Sequence, residues 1–136
     1  MSEEVESALV TAYQEVNLGL PTAFPNRKFV PPTDGALWAG VSFAFAQPTV
    51  ATLGTGGEDE TRGFMQVDFN IPIGAGRNLT NEASTALQNF FTAGRKLVYG
   101  GTQVDILSCG KNGGFDSGKF YKVPNTITFY ARHNRN

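Results

Sequence analysis

The strongest constraint on the fold is a segment in which apolar and polar residues alternate. From Arg62 to Ile73 every second residue is apolar from Met65 onward, and polar residues such as Gln66 and Asp68 lie between them. Successive side chains of a strand point to opposite faces of a sheet. The segment is therefore predicted to be a strand with one buried face and one wetter face, as in an antiparallel sheet covered on one side. The same alternation from Leu37 to Phe45 predicts a second strand of this kind.

Two other segments have apolar residues at helical spacing. The first follows Ser2, a good helix cap, and its acidic first turn suits the positive end of the helix dipole. The second extends from about Thr80 to Thr92, with Gly94 as its predicted cap. The predicted buried residues are Val5, Ala8, Leu9, Ala12 and Val16 in the first helix, and Leu79, Ala83, Ala86, Leu87, Phe90 and Phe91 in the second.

The C-terminal third of the chain contains further strand signals. Lys96–Tyr99 and Thr102–Ser108 flank a glycine pair, which indicates a two-residue hairpin, and a last strand is predicted around Asn125–Ala131. The order of elements predicts an α+β fold, with two helices packed on one face of a twisted, mainly antiparallel sheet of four to five strands. No internal repeat is visible, so residues 1–136 are predicted to form a single domain.

Two segments are predicted to be loops. Residues 47–61 contain several glycines followed by Glu58, Asp59 and Glu60, and are longer than a tight hairpin requires. Loops of this length in compact domains usually carry function or lack order. Residues 110–118 are rich in glycine and are predicted to form a second loop.

Catalytic and metal-binding signals are weak throughout the chain. Gly113–Lys119 has the spacing of a phosphate-binding loop, but Phe120 follows where magnesium binding requires Ser or Thr, and no helix is predicted after it. His133, the single histidine, lies near the chain end, and Cys109 has no predicted base beside it. We therefore expect no catalytic residue, no metal site and no cofactor, so that the protein is not an enzyme.

Charge and cysteine content limit the possible partners. The 11 basic and 12 acidic side chains nearly cancel, which argues against a dedicated nucleic-acid-binding protein. The start of the chain is acidic and its end basic, which would suit head-to-tail contacts between copies, although two solvated termini would show the same pattern. One cysteine allows no internal disulfide, and no signal peptide or membrane-length apolar segment is predicted.

A series of short motifs resembles the tail-terminator-like family of small phage proteins. In chain order they are Pro21-Thr22-Ala23-Phe24, Phe29-Val30-Pro31-Pro32, Leu53-Gly54-Thr55-Gly56-Gly57, Arg62-Gly63-Phe64-Met65-Gln66-Val67-Asp68-Phe69 and Gly74-Ala75-Gly76. The resemblance covers about residues 3–108. It implies a ring, commonly a hexamer, that caps the tail tube of a long-tailed phage, stops its polymerisation and provides the head-joining surface.

The resemblance also implies the partners and the location of the protein. The partners would be further copies of itself, the tail tube protein and head-tail connector proteins, with DNA passing through the ring without sequence-specific contacts. The protein would belong to the virion tail and assemble in the cytoplasm of the bacterial host. The family has no catalytic residues, so function would lie in surfaces.

The predicted interface centres on the loop at residues 47–61. Its candidate residues are Thr55, Glu58, Asp59, Glu60 and Arg62, with Arg62 as a counterion for the acids. Three other functions stay open at this point. They are another neck, head-tail connector or minor tail protein, a small ligand-binding module, and a small hydrolase, for which no base and nucleophile can be found.

Overall fold

The computed structural model describes residues 2–46, 49–50 and 58–134. These residues form two helices and eight strands. In chain order they are α1 (Ser2–Val16), β1 (Thr22–Ala23), β2 (Trp38–Phe45), β3 (Thr49–Val50), β4 (Glu58–Pro72), α2 (Asn78–Phe90), β5 (Lys96–Tyr99), β6 (Thr102–Lys111), β7 (Phe115–Ser117) and β8 (Phe120–Asn134).

The strands form one mixed sheet. Its main path is β1-β2-β4-β8-β6-β5, with β3 added to β4 and β7 added to β8. The short β1 is parallel to β2, and the other pairs are antiparallel. The predicted α+β class is confirmed, whereas the predicted four to five strands are too few. The difference arises largely because both predicted loops contain strand residues.

The centre of the sheet is a long ladder between β4 and β8. It runs from Glu58 opposite Asn134 to Pro72 opposite Phe120. The predicted last strand, around Asn125–Ala131, was much shorter, because the preceding Pro124 has no backbone N–H to donate to a ladder. Pro124 is tolerated where β8 changes partner, since β7 pairs with β8 up to Lys122 and β6 pairs with it from Asn125 onward.

Both helices contribute to one core on the inner face of the sheet. The fully buried residues include Val5 and Leu9 of α1 and Leu87 of α2, packed with Met65, Val67, Phe69, Ile127 and Phe129 from the two central strands. The hydroxyl of Thr102 on β6 also donates a hydrogen bond to the Glu4 carboxylate on α1. The apolar alternation in the sequence thus identified the inner face correctly from Met65 to Ile71, whereas Ile73, predicted on the same face, follows the end of β4 and is 51% exposed.

The predicted face of α2 needs one correction. Leu79, expected in the core, is 50% exposed, while Thr80 and Ser84 are buried. Both polar side chains have partners, because the Thr80 hydroxyl donates to the carbonyl of Arg77 and the Ser84 hydroxyl accepts from the Asn125 amide. The buried face therefore includes two small polar residues that an apolar pattern cannot reveal.

Gly94 and Gly63 have different roles from ordinary loop glycines. α2 ends at Phe90, so Gly94 is not its cap; it has a positive φ of 89°, and its N–H donates to the carbonyl of Ile106. Gly63 lies inside β4, where a Cβ atom would come within 2.2 Å of the Ala44 carbonyl oxygen. The Arg-Gly pair of the resemblance therefore has a steric basis at its glycine.

Candidate assembly interface

The acidic stretch lies in a strand rather than in a loop. Glu58, Asp59 and Glu60 form the start of β4, where residues 59 and 60 pair with β3 on one side and with Arg132 and His133 of β8 on the other. Residues 49–50 and 58–61 of the predicted loop at residues 47–61 are therefore strand, and its other residues lie outside the described part of the chain. Backbone pairing on both sides fixes this part of the acidic stretch within the sheet.

Glu60 and Arg62 form the ion pair that the sequence suggested. The Arg62 guanidinium donates to Glu60 Oε1 over 3.1 Å, and it lies 5.5 Å from the centre of the Tyr130 ring. The Arg62 side chain remains 60% exposed, compared with 17% for Glu60. Arg62 thus offsets the charge of Glu60 while keeping a cationic group at the surface.

The other predicted interface residues are only partly described. Thr55 lies outside the described residues, and only the backbone is described at Glu58 and Asp59. The structure therefore brings Glu60 and Arg62 together, on adjacent positions of the same face of β4. Their direct neighbours on β8, Arg132 and Tyr130, extend this polar area across the sheet.

A second charged group continues the polar area towards the opposite edge of the sheet. Asp105 on β6 accepts hydrogen bonds from Lys96 over 3.1 Å and from Gln103 over 3.0 Å, and it also interacts with the Tyr130 hydroxyl. We call Arg62, Tyr130, Asp105 and Lys96 the charged row. It crosses the four strands β4, β8, β6 and β5 on the face opposite the helices.

The charged row changes the ionisation of two of its members. Burial alone would raise the pKa of Asp105, but hydrogen bonds from Lys96, Tyr130 and Gln103 outweigh it and lower this pKa. The hydrogen bond with the Asp105 carboxylate raises the pKa of Tyr130. At neutral pH Asp105 is therefore ionised and the neighbouring Tyr130 hydroxyl is protonated.

Sequence reasoning missed that Lys96 and Asp105 belong together with Arg62. They are more than thirty positions away along the chain, and their alignment depends on the register of three strand pairs. A bulge between Ile106 and Ser108 shifts the register of β6 against β8. Because one inserted residue changes which residues lie opposite each other, this alignment could not be derived from the alternation pattern.

The segment that imitates a phosphate-binding loop is a β-hairpin. Phe115–Ser117 is β7, and Gly118 and Lys119 form the two-residue turn into β8, with Gly118 at a positive φ of 62°. A phosphate site of this type needs a helix N-terminus after the loop. Here Phe120 begins a strand, and residues 110–118 are mostly strand and turn rather than the long loop that was predicted.

The Cys109 thiol shows little reactivity. Burial raises the pKa of the half-buried Cys109 thiol to about 11, so at neutral pH it is almost entirely protonated and a poor nucleophile. Among the described residues, no group of three or more His, Cys, Asp or Glu side chains could hold a metal ion. Neither of the described helices is both long and apolar enough to cross a membrane.

An apolar area lies at the end of the central ladder remote from the acidic stretch. A cavity of about 500 Å³ is lined mainly by Val30, Pro31, Pro32, Pro72 and Phe120. Next to it, the Trp38 ring packs against Phe29 and Phe120, with ring centres 5.2 and 5.3 Å apart. The proline-rich connector thus covers the outer face of β2 at this end.

Comparison with known proteins gives the family of the chain. No curated protein matches its sequence. A solved structure that carries no functional name has a TM-score of 0.70 and 21% sequence identity, over 100% of this chain and 96% of that chain. This likeness establishes a shared fold. A family model described as phage tail terminator protein matches residues 4–129. The chain therefore belongs to the phage tail terminator family, whose members are structural components of the virion tail.

Proposed function

We propose that this protein forms a closed ring, most simply a hexamer, that caps the tail tube, stops its polymerisation and provides the surface to which the head is joined. The observation that carries the proposal is the family match over residues 4–129. The partners are then further copies of the chain, the tail tube protein and head-tail connector proteins. DNA passes through the ring without base-specific contacts, and assembly takes place in the host cytoplasm.

The two faces of the sheet support a role in assembly. The inner face is filled by the helices and the core, whereas the outer face carries the charged row and the Glu60–Arg62 pair. Charged groups at an interface steer association and fix its register more than they add affinity. A ring subunit needs such directional contacts, since each copy must meet its neighbour and the tube in one orientation.

The assembly state tests the proposal directly. Because the ring forms by mass action, light scattering should show growth from monomer towards a closed ring as the concentration rises or when isolated tail tubes are added. Electron microscopy of the same samples should show rings, alone or at tube ends. A protein that remains monomeric under both conditions contradicts the proposal.

The acidic stretch is our candidate for the contact with a neighbouring subunit or the tube, with Thr55 beside it in sequence. Replacing Glu58, Asp59 and Glu60 together by Lys would place like charges against a basic partner, which costs several kcal/mol. The folded subunit should lose only about 1 kcal/mol at the Glu60–Arg62 pair, in which the Arg62 side chain is 60% exposed. We expect a folded protein that fails to complete tails, leaving overlong tubes or unjoined heads.

A control variant tests whether a charge reversal on another face of the subunit has the same effect. Glu82 on α2 is exposed and lies outside the charged row, so Glu82→Lys should leave tail completion unchanged. Raising the salt concentration should weaken the wild-type contact by screening. If the triple variant folds and completes tails normally, the acidic stretch is a solvated surface and the contact lies elsewhere.

A further inference from the structure

The strand β2 has an edge that is only partly paired. The backbone N–H and C=O groups of its even-numbered residues point towards β4, as shown by the hydrogen bond from the Ala46 N–H to the Arg62 carbonyl. In an antiparallel pair this orientation alternates along the strand, so the backbone N–H and C=O groups of Val41, Phe43 and Phe45 point away from β4. Ala39 has the same orientation, and its N–H donates to the carbonyl of Pro21 beside β1.

The pairing of β1 with β2 ends early for a chemical reason. In this parallel pair, Thr22 lies opposite Ala39. Continuing the ladder would make the residue at position 25 donate to the Val41 carbonyl, but Pro25 has no N–H. Asn26 then has a positive φ of 55°, and the chain turns away. Within the described residues, Phe43 and Phe45 consequently have outward backbone groups with no strand beside them.

The strand β5 provides the second free edge. The Ile106 N–H donates to the carbonyl of Arg95, and Tyr99 lies opposite Thr102 at the hairpin. The backbone N–H and C=O groups of odd-numbered residues in β5 therefore point towards β6. The backbone groups of Lys96 and Val98 therefore point outward. Val98 is 72% exposed, and within the described residues no strand continues the sheet beyond β5. Free edges of this kind readily pair with another chain.

The two edges are compatible in direction. Four antiparallel steps separate β2 from β5 along the path β2-β4-β8-β6-β5, so these two strands run in the same direction. A neighbouring copy related by rotation about an axis along the strands would therefore bring its β5 alongside β2 in a parallel orientation.

The side-chain faces give the same answer independently. In a parallel pair, a residue with outward backbone groups bonds to the two residues that flank its opposite partner, as Ala39 does around Thr22. Phe43 would bond to Lys96 and Val98 and would lie opposite Leu97. Both Phe43 and Leu97 pack towards the core side of the sheet, so the inner faces of the two copies would match. In an antiparallel contact Phe43 would instead lie opposite Lys96 or Val98, whose side chains are on the outer face. The inner face of one copy would then meet the outer face of the next.

We propose that copies of this chain join edge to edge, with β5 of one copy added in parallel to β2 of the next at Phe43. The inference rests on the proposed ring and specifies the contact that closes it. The edges differ, so the contact is head-to-tail, which is the type that generates rings. The Phe43 N–H donates to the Lys96 carbonyl, and the Val98 N–H donates to the Phe43 carbonyl.

The surroundings of both edges suit this contact. On the inner side of β2, a groove of about 210 Å³ is lined by apolar Phe43, Phe24, Val10 and Pro25 and by polar Glu6, Gln14 and Arg27. On the inner side of β5, Tyr99 is 45% exposed and follows Leu97 by two positions. Parallel addition would bring the Tyr99 ring of one copy towards Phe45 and this groove in the next. Aromatic side chains of this size dominate the energetics of such contacts.

A proline at position 98 tests the backbone hydrogen bond. Val98→Pro removes an N–H that points away from β6, so the hairpin should keep its own ladder. The carbonyl of Phe43 in the neighbouring copy then loses its donor, and we expect the dissociation constant between copies to rise about tenfold. Val98→Thr is the matched control, because it keeps both the N–H and the branched side chain.

Disulfide trapping tests the geometry without depending on the proline variant. In a Cys109→Ser background, Ala44→Cys and Val98→Cys would lie opposite each other across the contact. Within one copy β2 and β5 are four strand spacings apart, roughly 19 Å, too far for a disulfide. Mild oxidation should therefore give a ladder of covalent oligomers. Ala46→Cys with Val98→Cys tests the register shifted by one step to Phe45, and Glu82→Cys with Val98→Cys is the control pair.

The outcomes separate this contact from the ring itself. A ladder from one of the two β2–β5 pairs, absent from the control pair, establishes the contact. Rings seen by electron microscopy with no ladder in either register, or with the pair at Glu82 cross-linking equally well, overturn it and leave the proposed ring standing. A wild-type chain that forms no ring alone or on tail tubes, and no ladder, overturns both proposals.

Discussion

The two faces of the central strands share one backbone but differ in chemistry and in what they contribute. On the inner face, Phe129 has no exposed surface and Met65 lies opposite Ile127 in the core. On the outer face, Phe64 is 39% exposed and lies opposite Thr128, beside the charged row. Burial of apolar area stabilises the fold in proportion to the area removed from water. At these positions the inner face therefore contributes more to stability, and the outer face presents groups that can make contacts with other molecules.

Two phenylalanine substitutions test this difference with the same change of side chain. Phe129→Ala leaves a cavity in the core and should lower the free energy of unfolding by about 3–5 kcal/mol. Phe64→Ala removes a partly exposed ring and should cost on the order of 1 kcal/mol. Urea denaturation of both variants measures the two values. Equal losses would show that the outer face is also part of the packed core.

A smaller effect on the free energy of unfolding is expected from adding a single methyl group at Gly63 in β4. A Cβ atom at position 63 would meet the Ala44 carbonyl oxygen, so Gly63→Ala forces β2 and β4 apart. We expect a loss of roughly 1–3 kcal/mol, as in overpacked cores. Gly113→Ala is the control, because a Cβ atom there meets no atom within 4 Å. A neutral Gly63→Ala would mean that the strands adjust without strain.

Features of the two faces that depend on neighbouring positions in the sequence could be predicted, whereas features that depend on pairing between distant strands could not. The inner face follows from local alternation, so Val67, Phe69 and Ile127 were identified as buried residues from neighbouring positions alone. The extension of β4 through residues 58–61 was missed, because acidic residues have low strand propensity and pairing with β8 overrides it. Tertiary pairing is not visible in a local pattern.

The candidate interface was less predictable than the fold. Arg62 could be proposed as a counterion because it follows the acidic residues closely in the sequence. The structure adds that Glu60 and Arg62 lie on one face of a strand. The charged row could not be proposed, because the positions of Asp105 and Lys96 depend on the β5–β6 hairpin and on the register between β6 and β8, which a bulge shifts. The free edges depend on the order of strands in the sheet, which the sequence alone did not define.

The outer face should respond to pH through Asp105. Its pKa is lowered in the folded state, so its contribution to stability is fully present above the unfolded value of about 3.9 and is lost as the pH falls through the folded value. Asp105→Asn should therefore cost on the order of 1 kcal/mol at pH 7, and this difference should shrink below about pH 4. Denaturation at several pH values measures it. A loss that does not change with pH would show that only neutral hydrogen bonds matter here.

The smallest effect is expected at Lys119, in the hairpin turn that imitates a phosphate-binding loop. The backbone carbonyl of Lys119 accepts a hydrogen bond from the Ile73 N–H, and Lys119→Ala retains this bond. The substitution should thus change the free energy of unfolding by less than about 0.5 kcal/mol, as is usual for surface positions. ATP or GTP should cause no thermal shift, whereas a ligand present at about 100 times its Kd would add roughly 2.7 kcal/mol. A shift that disappears in Lys119→Ala would mean that the turn binds phosphate without a helix, and the outer surface would then carry a ligand site as well as contacts between subunits.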